Sequence, residues 1–281
     1  MNELEAHGSR VALTFHRTFS LSLPSVSKIL LLSSAVGGRT IASEIQKATG
    51  LGSIYVEAMP RYARACGLME MNGYGLTPFG ELVCRTDPHL IHENTLWLMH
   101  YHMSAPHGPG PAFWSHLVVH ALQFGDEVSR VRIAQEIAGF HVGQGGATSV
   151  KERTVRTAAT VFLGTYTKSD ALGRLALLEH VPERDGYVRV SESQSPPLGA
   201  VTYALADYWA AHFGEQVTVS LSELAKDDGF ARLMWMNYRQ LDEVLMELKR
   251  ENIVDLYRVA PPYQVVRQWS TKQDMLARLY A

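Results

Sequence analysis

The chain has 281 residues, of which 46% are hydrophobic and 19% are charged, and its formal net charge at pH 7 is −2. This balance indicates a globular protein of roughly two or three modules, and the near-neutral total argues against a protein that coats nucleic acid indiscriminately. The chain has two cysteines, an N-terminus without a basic-then-apolar pattern, and no apolar run near the ~20 residues that span a bilayer. We therefore expect a reduced, cytoplasmic protein with no membrane segment.

Residues 1–86 have the pattern of an N-terminal winged helix-turn-helix domain. Pro24 opens a first helical stretch, Thr40 can cap a second, and a third is expected from about Ser53 to Cys66. Asn72-Gly73 then favours a hairpin turn between two short strands. In a winged helix-turn-helix, two helices support a third, whose outer face enters a DNA groove. This order of elements therefore predicts a DNA-binding domain.

Three basic side chains are the candidate DNA contacts of this domain. Arg61 and Arg64 lie on the expected recognition helix, and Lys47 lies on the helix before it. Pro60 is expected to break or bend the recognition helix, because an interior proline lacks a backbone donor and clashes with the preceding turn.

Residues 87–128 are rich in histidine and aromatic side chains, and we interpret them as a central helical core. The stretch Glu93–Met103 is apolar nearly all round, so its histidines are expected to be structural. His116 and His120 differ, because a spacing of four residues places both imidazoles on one helix face, as in a metal site. The glutamate of a zincin motif is absent, so the pair indicates either a metal site or two structural histidines.

Residues 129–195 form a basic module whose elements are again ordered as in a winged helix. Ser149 can cap its second helix, and Asp185-Gly186 favours a hairpin after it. Arg153 and Arg156 are three residues apart on that helix, and we take them as candidate DNA contacts, since arginines bind phosphates. The alternative is an ordinary solvated charged face.

Residues 196–281 form a third module, which is acidic where the previous one is basic. Positions 223–258 carry eight acidic and six basic residues, which favours a protein-contact or dimerisation module over a DNA reader. An amphipathic helix is predicted at Asn237–Glu251. Taken together, the predicted fold is mainly α with small β-hairpins, with tandem winged helix-turn-helix-like modules around a central helical core. No Walker loop, Rossmann glycine pattern or nucleophile elbow identifies a catalytic residue.

Five motifs along the chain carry a resemblance to a known family. They are FHRTF (15–19), GLMEMNGYGLTPFGELV (67–83), DPHLIHENTLWLMHYHMS (87–104), SVKERTV (149–155) and ALADYW (204–209). In this order they resemble a bacterial family of unknown function that is encoded in DNA phosphorothioation and anti-phage islands and includes SspB-type proteins. The chain departs from the family at Arg17, where an acidic residue is common.

The resemblance implies a DNA-binding component of a phosphorothioation system, acting on double-stranded DNA and nicking it for sulfur insertion. It implies a divalent metal cofactor if the protein is a nickase. The implied partners are a cysteine desulfurase, a PAPS-reductase-like protein and an ATPase, and a homodimer is left open. The alternative is a non-enzymatic winged-helix assembly or transcription-regulatory protein that docks partner proteins, which the acidic last module favours.

Overall fold

A computed structural model describes residues 13–37, 42–144 and 150–281, and the chain divides into two compact units, Met1–Glu192 and Ser193–Ala281. The described parts are mainly helical, and each unit contains a small antiparallel sheet of three strands. The candidate caps Thr40 and Ser149 lie outside the described residues. Across the described ranges, no helix has both the length and the apolar character needed to cross a membrane.

In chain order, the described part of the first unit has six α-helices, one strand, two further α-helices and a β-hairpin. Its described helices are α1 (Leu23–Ala35), α2 (Ala42–Thr49), α3 (Ser53–Ala65), α4 (Pro78–Thr86), α5 (Glu93–Ser104), α6 (Ala112–His116), α7 (Arg130–Gly143) and α8 (Glu152–Thr167). A π-helical turn, Leu117–Ala121, continues α6, and a 3-10 turn, Leu172–Leu175, follows α8. Its strands are β1 (Glu127–Ser129), β2 (Leu178–His180) and β3 (Tyr187–Val190).

Helix α3 continues through Pro60, so the predicted break is wrong, and the alternative of a bend stays a prediction. Pro60 is buried together with Met59 and Tyr62, and this packing offsets the ~3 kcal/mol that an interior proline costs. The strands expected around Asn72-Gly73 are reduced to a single β-bridge between Met69 and Leu76.

Helix α5 is the buried centre of the first unit, as its apolar composition predicts. Every residue from Asn94 to Ser104 is buried. The carboxylate of Asp87 fixes the start of the helix by accepting hydrogen bonds from two backbone N–H groups at 2.9 Å and from the Thr95 hydroxyl at 2.7 Å. Nδ1 of His100 lies 2.8 Å from the Tyr166 hydroxyl. Of the histidines on this helix, His100 is therefore structural, because it connects α5 to α8.

The sheet of the first unit has the strand order β1-β3-β2, with β3 in the centre and antiparallel to both neighbours. The hairpin predicted at Asp185-Gly186 is present between β2 and β3, and Gly186 adopts a φ of 76°, which glycine tolerates best. Helix α7 begins directly after β1, where the Ser129 hydroxyl accepts a hydrogen bond from the Arg132 N–H at 3.1 Å. Helices α7 and α8 thus lie between the first strand of the sheet and its hairpin.

The second unit also has a strand, then helices, then a hairpin, but with three helices between the strand and the hairpin. Its described helices and strands are α9 (Leu198–His212), β4 (Thr218–Ser220), α10 (Leu221–Leu224), α11 (Phe230–Leu233), α12 (Tyr238–Arg250), β5 (Val254–Tyr257), β6 (Gln264–Arg267) and α13 (Lys272–Leu276). The sheet order is β4-β6-β5. The predicted amphipathic helix is α12, which starts with a capping box formed by Asn237 and Gln240. Its buried stripe consists of Leu241, Val244, Leu245 and Leu248.

Candidate nucleic-acid interface

The outer face of α8 lines a groove in the first unit, which we call the α8 groove. It consists of three cavities of about 510, 430 and 340 Å³, and Thr18 lines all three. Arg130 and Val161 line two of them, as does Arg153, so the cavities follow the helix from its first turn to its last. The groove is therefore an extended surface rather than an enclosed pocket for a small ligand.

The two faces of α8 differ in chemistry because apolar and polar residues alternate with helical period. The inner face includes Val155, Phe162 and Tyr166, which are buried. On the outer face, the hydroxyls of Thr157 and Thr160 donate to backbone carbonyls one turn earlier, at 2.8 and 2.9 Å. These short side chains fold against the helix, so the face that lines the groove is low and polar.

Basic side chains border the α8 groove along its length. Arg130, Arg153 and Arg156 share the largest cavity. Lys168 lines the cavity at the other end, where its ammonium donates to the Ser20 hydroxyl at 2.8 Å. Arg156 is 69% exposed and pairs with Glu152 four residues earlier at 2.5 Å, an exposed pair of the kind that contributes little to stability. Arg156 can therefore turn to an anionic ligand at small cost.

The β2–β3 hairpin, whose turn lines the cavity of about 340 Å³, carries two further arginines. Glu127 on β1 accepts a hydrogen bond from Arg184 at 3.0 Å and from Arg189 at 2.9 Å, which lowers the pKa of the Glu127 carboxyl. The guanidinium of Arg184 also lies over the Tyr187 ring, 3.7 Å from its centroid. No local sequence pattern indicates these arginines, because only the strand pairing brings Glu127 and Arg189 together.

A strained turn closes one end of the α8 groove. Arg17 and Thr18 both have positive φ values, 46° and 74°, which are rare for residues other than glycine. Nδ1 of His16 accepts a hydrogen bond from the Thr18 N–H at 3.0 Å, while its buried Nε2 has no hydrogen-bond partner among the described residues. Burial lowers the pKa of His16 to about 4, partly offset by the Leu13 backbone. His16 is therefore neutral at physiological pH.

The candidate DNA contacts of the N-terminal domain lie apart from this groove. Arg61 donates to the Phe15 carbonyl at 3.3 Å. Arg64 donates to the Glu70 carbonyl at 3.2 Å and to the Gly73 carbonyl at 2.5 Å, and burial lowers its pKa. None of the three groove cavities is lined by these arginines or by Lys47, which is exposed in the last turn of α2. The role of Lys47, Arg61 and Arg64 in DNA binding stays a prediction.

The candidate metal pair has a carboxylate near it. The rings of His116 and His120 are 5.7 Å apart, and Nε2 of His116 is 3.8 Å from a carboxylate oxygen of Glu136. His116 also stacks on Phe140 at 4.7 Å. Burial and the neighbouring His120 lower the pKa of His116, against the opposing effect of Glu136. Over the described residues, no group of three or more histidine, cysteine, aspartate or glutamate side chains is placed to hold a metal ion.

The fold and the groove define a mainly helical protein with two small three-stranded sheets and a cationic helix face. The chain belongs to the family described as protein of unknown function DUF4007, whose model matches residues 16–280. It is similar to two crystal structures of SspB, one of them bound to a magnesium ion, each at 17% identity. The magnesium-bound structure matches with a TM-score of 0.74, covering 95% of this chain and 87% of SspB. The other matches with a TM-score of 0.75, covering 95% and 86%. No curated protein matches the sequence.

Proposed function

We propose that this protein is a DNA-binding component of a bacterial DNA phosphorothioation system, and that the α8 groove is its DNA-binding face. The observation that carries the proposal is the row of Arg130, Arg153, Arg156 and Lys168 beside a low polar helix face. Arginine and lysine side chains bind phosphates, and the short Thr157 and Thr160 side chains between them let this part of the helix approach base edges closely. The family and the similarity to SspB support the phosphorothioation context.

The order of elements around α8 supports its assignment as a recognition helix. Strand β1 is followed by α7, α8 and the β2–β3 hairpin, and β1 pairs with β3. In a winged helix-turn-helix, the second of the two consecutive helices reads the DNA and the hairpin lies beside it as the wing. In this assignment Arg184 belongs to the wing and Arg153 to the recognition helix. The second unit has the same sheet pairing, with three helices between its first strand and its hairpin, and α12 is the helix that directly precedes the hairpin.

The row of cations along the α8 groove fits the extended backbone of DNA better than a small anion. The chain as a whole is slightly acidic, so non-specific attraction is weak, and binding has to come from the local row of cations. Fluorescence anisotropy of a labelled duplex against protein at several salt concentrations tests the proposal directly. We expect affinity that falls steeply with salt, and salt-independent affinity or none contradicts it.

Nicking of the DNA is the finer part of the proposal, and it requires an activated water or another nucleophile. A divalent metal is the common means of activation, and one SspB structure contains magnesium. The described residues offer no three-ligand cluster, so we derive no metal-dependent step from them. Incubation of supercoiled plasmid with the protein and Mg²⁺, Mn²⁺ or EDTA tests for nicking. Open-circle product that EDTA abolishes identifies a metal-dependent nickase, whereas retarded and uncut plasmid identifies a binding protein.

A second candidate function is that of a non-enzymatic assembly or regulatory protein that docks partner proteins. The observation in its favour is the β5–β6 hairpin of the acidic second unit, where Tyr257, Val259 and Tyr263 are exposed apolar side chains. Partners of this kind would be the cysteine desulfurase, the PAPS-reductase-like protein and the ATPase of such a system. Co-purification with each partner, compared between the native chain and Val259→Asp, separates this function from DNA binding. An unchanged yield with Val259→Asp contradicts it.

A further inference from the structure

We propose that the cavity of about 430 Å³ at the end of the α8 groove binds a phosphodiester group, with His16 as the neutral hydrogen-bond donor. This inference deepens the proposed function and rests on it, because the phosphodiester would belong to the DNA that lies along α8. The cavity is lined by the turn that contains His16, Arg17 and Thr18, by Glu57, and by the first turn of α8 with Arg153.

The hydrogen bonds of His16 determine what kind of atom it can bind. Its Nδ1 accepts a hydrogen bond from the Thr18 backbone N–H at 3.0 Å, so in the neutral ring the proton is on Nε2. Nε2 is buried and has no hydrogen-bond partner among the described residues. A buried donor without an acceptor is destabilising, and a ligand oxygen would remove this cost. Nε2 of His16 can therefore donate a hydrogen bond to a ligand oxygen. Because it carries the proton, it has no lone pair to offer a metal ion.

The groups around the cavity favour an anionic oxygen. Arg17 and Arg153 both line it, and so do the hydroxyl-bearing Thr154 and Thr157. The first turn of α8, a helix of 16 residues, has no side-chain cap, and helix N-termini attract anions. Glu57 is the opposing charge, and it pairs with Arg17 at 3.0 Å.

The ion pair between Arg17 and Glu57 can open and release Arg17 to bind the phosphate. Both side chains are 51% exposed, so the pair is solvated and opens at small cost. A phosphate that attracts Arg17 away from Glu57 gains a bidentate guanidinium contact, which is stronger than a contact to a neutral donor. Arg17 therefore supplies a movable cation at the edge of the cavity.

The test uses the full chain labelled with ¹⁵N-histidine, whose NMR spectrum reports each ring nitrogen separately. The probes are a thymidine dinucleotide and, in a parallel arm, inorganic phosphate. We expect the Nε2 resonance of His16, assigned from its loss in His16→Gln, to shift saturably with the dinucleotide, while the exposed His120 does not shift. In Arg17→Gln the dinucleotide should bind about 3- to 10-fold more weakly, whereas Arg239→Gln in the second unit should bind as the native chain does.

The outcomes separate this inference from the proposed function, because duplex binding is measured by anisotropy on the same samples. A His16 resonance that stays unshifted while the duplex binds overturns the inference and leaves the proposed function standing. A response to inorganic phosphate alone overturns the assignment to the DNA backbone. A saturable dinucleotide shift without duplex binding supports the cavity and overturns the proposed function. The shifts themselves are measured on the native chain, and His16→Gln serves only to assign the resonance.

Discussion

The hydroxyl of Tyr166 lies 2.8 Å from Nδ1 of His100, at the buried junction between α8 and α5. The same hydroxyl accepts a hydrogen bond from Nε1 of Trp114 at 3.0 Å, and the Ser104 hydroxyl lies 3.4 Å away. Burial raises the pKa of Tyr166 well above its usual value, so the phenol stays neutral. One hydroxyl on the inner face of α8 thus fixes the helix whose outer face lines the groove.

Removal of that hydroxyl should destabilise the protein without changing its charge. Tyr166→Phe takes an acceptor from the buried Trp114 N–H, and we expect the free energy of unfolding to fall by about 1–3 kcal/mol. Urea denaturation followed by tryptophan fluorescence measures it. The matched control is Tyr238→Phe, since Tyr238 is 54% exposed, and it should change stability by less than ~0.5 kcal/mol. Equal effects of the two variants would show that the buried hydroxyl has no special role.

Removal of an acidic charge from the α8 groove should strengthen DNA binding. In Glu152→Gln, Arg156 loses the carboxylate that holds it, and the groove loses one negative charge. We expect about 2- to 5-fold tighter binding of a duplex at low salt, in line with the small energies of exposed ion pairs. Anisotropy of a labelled duplex is the measurement.

The control for this change is Glu243→Gln on α12. It removes the carboxylate of an ion pair with Arg239, which lies four residues earlier on the same helix at 3.4 Å. It should leave DNA affinity unchanged. If both glutamine variants tighten binding equally, net charge and not the α8 groove is responsible.

The buried His16 should make stability depend on pH between about 4 and 6.5. Its pKa is about 4 in the folded chain against an ordinary value of 6.5, so in this window the unfolded chain binds more protons. The free energy of unfolding therefore falls as the pH falls through the window, by up to ~3 kcal/mol, and His16 contributes no pH dependence above it. Denaturation at pH 7.5 and pH 4.5 for the native chain and for His16→Gln isolates this effect. An identical loss of stability in the two proteins would argue against a lowered His16 pKa.

Arg64 should stabilise the turn around Asn72-Gly73, which it contacts. Its guanidinium donates to the carbonyls of Glu70 and Gly73 and lies 5.5 Å from the Tyr74 ring centroid. Arg64→Lys keeps the charge but loses the planar arrangement of donors, and we expect faster proteolysis at Asn72-Gly73. Limited proteolysis followed by mass spectrometry checks this, with Lys47→Arg as a control that should leave cleavage unchanged.

The sequence predicted local features well, because they depend on residues close together in the chain. The capped amphipathic helix at Asn237–Glu251 and the hairpin at Asp185-Gly186 follow from periodicity and turn chemistry, and both are present. The predicted break at Pro60 was wrong, because the burial of this proline depends on contacts with residues that are distant in the sequence. Contacts across the fold were missed for the same reason. Residue 16 meets the start of α8, and Glu127 meets Arg189, only because the tertiary fold brings them together.

The salt dependence of duplex binding by Arg153→Gln/Arg156→Gln shows whether the α8 groove is the DNA-binding face. Each phosphate contact contributes about 0.9 to the slope of log affinity against log salt concentration, so loss of two contacts should reduce the slope by about 2. The matched control is Arg239→Gln/Arg250→Gln, which removes two exposed arginines from α12. We expect an unchanged slope for the control and a reduced slope for the α8 variant. Equal slopes for the native chain and both variants would contradict the assignment of the α8 groove as the DNA-binding face.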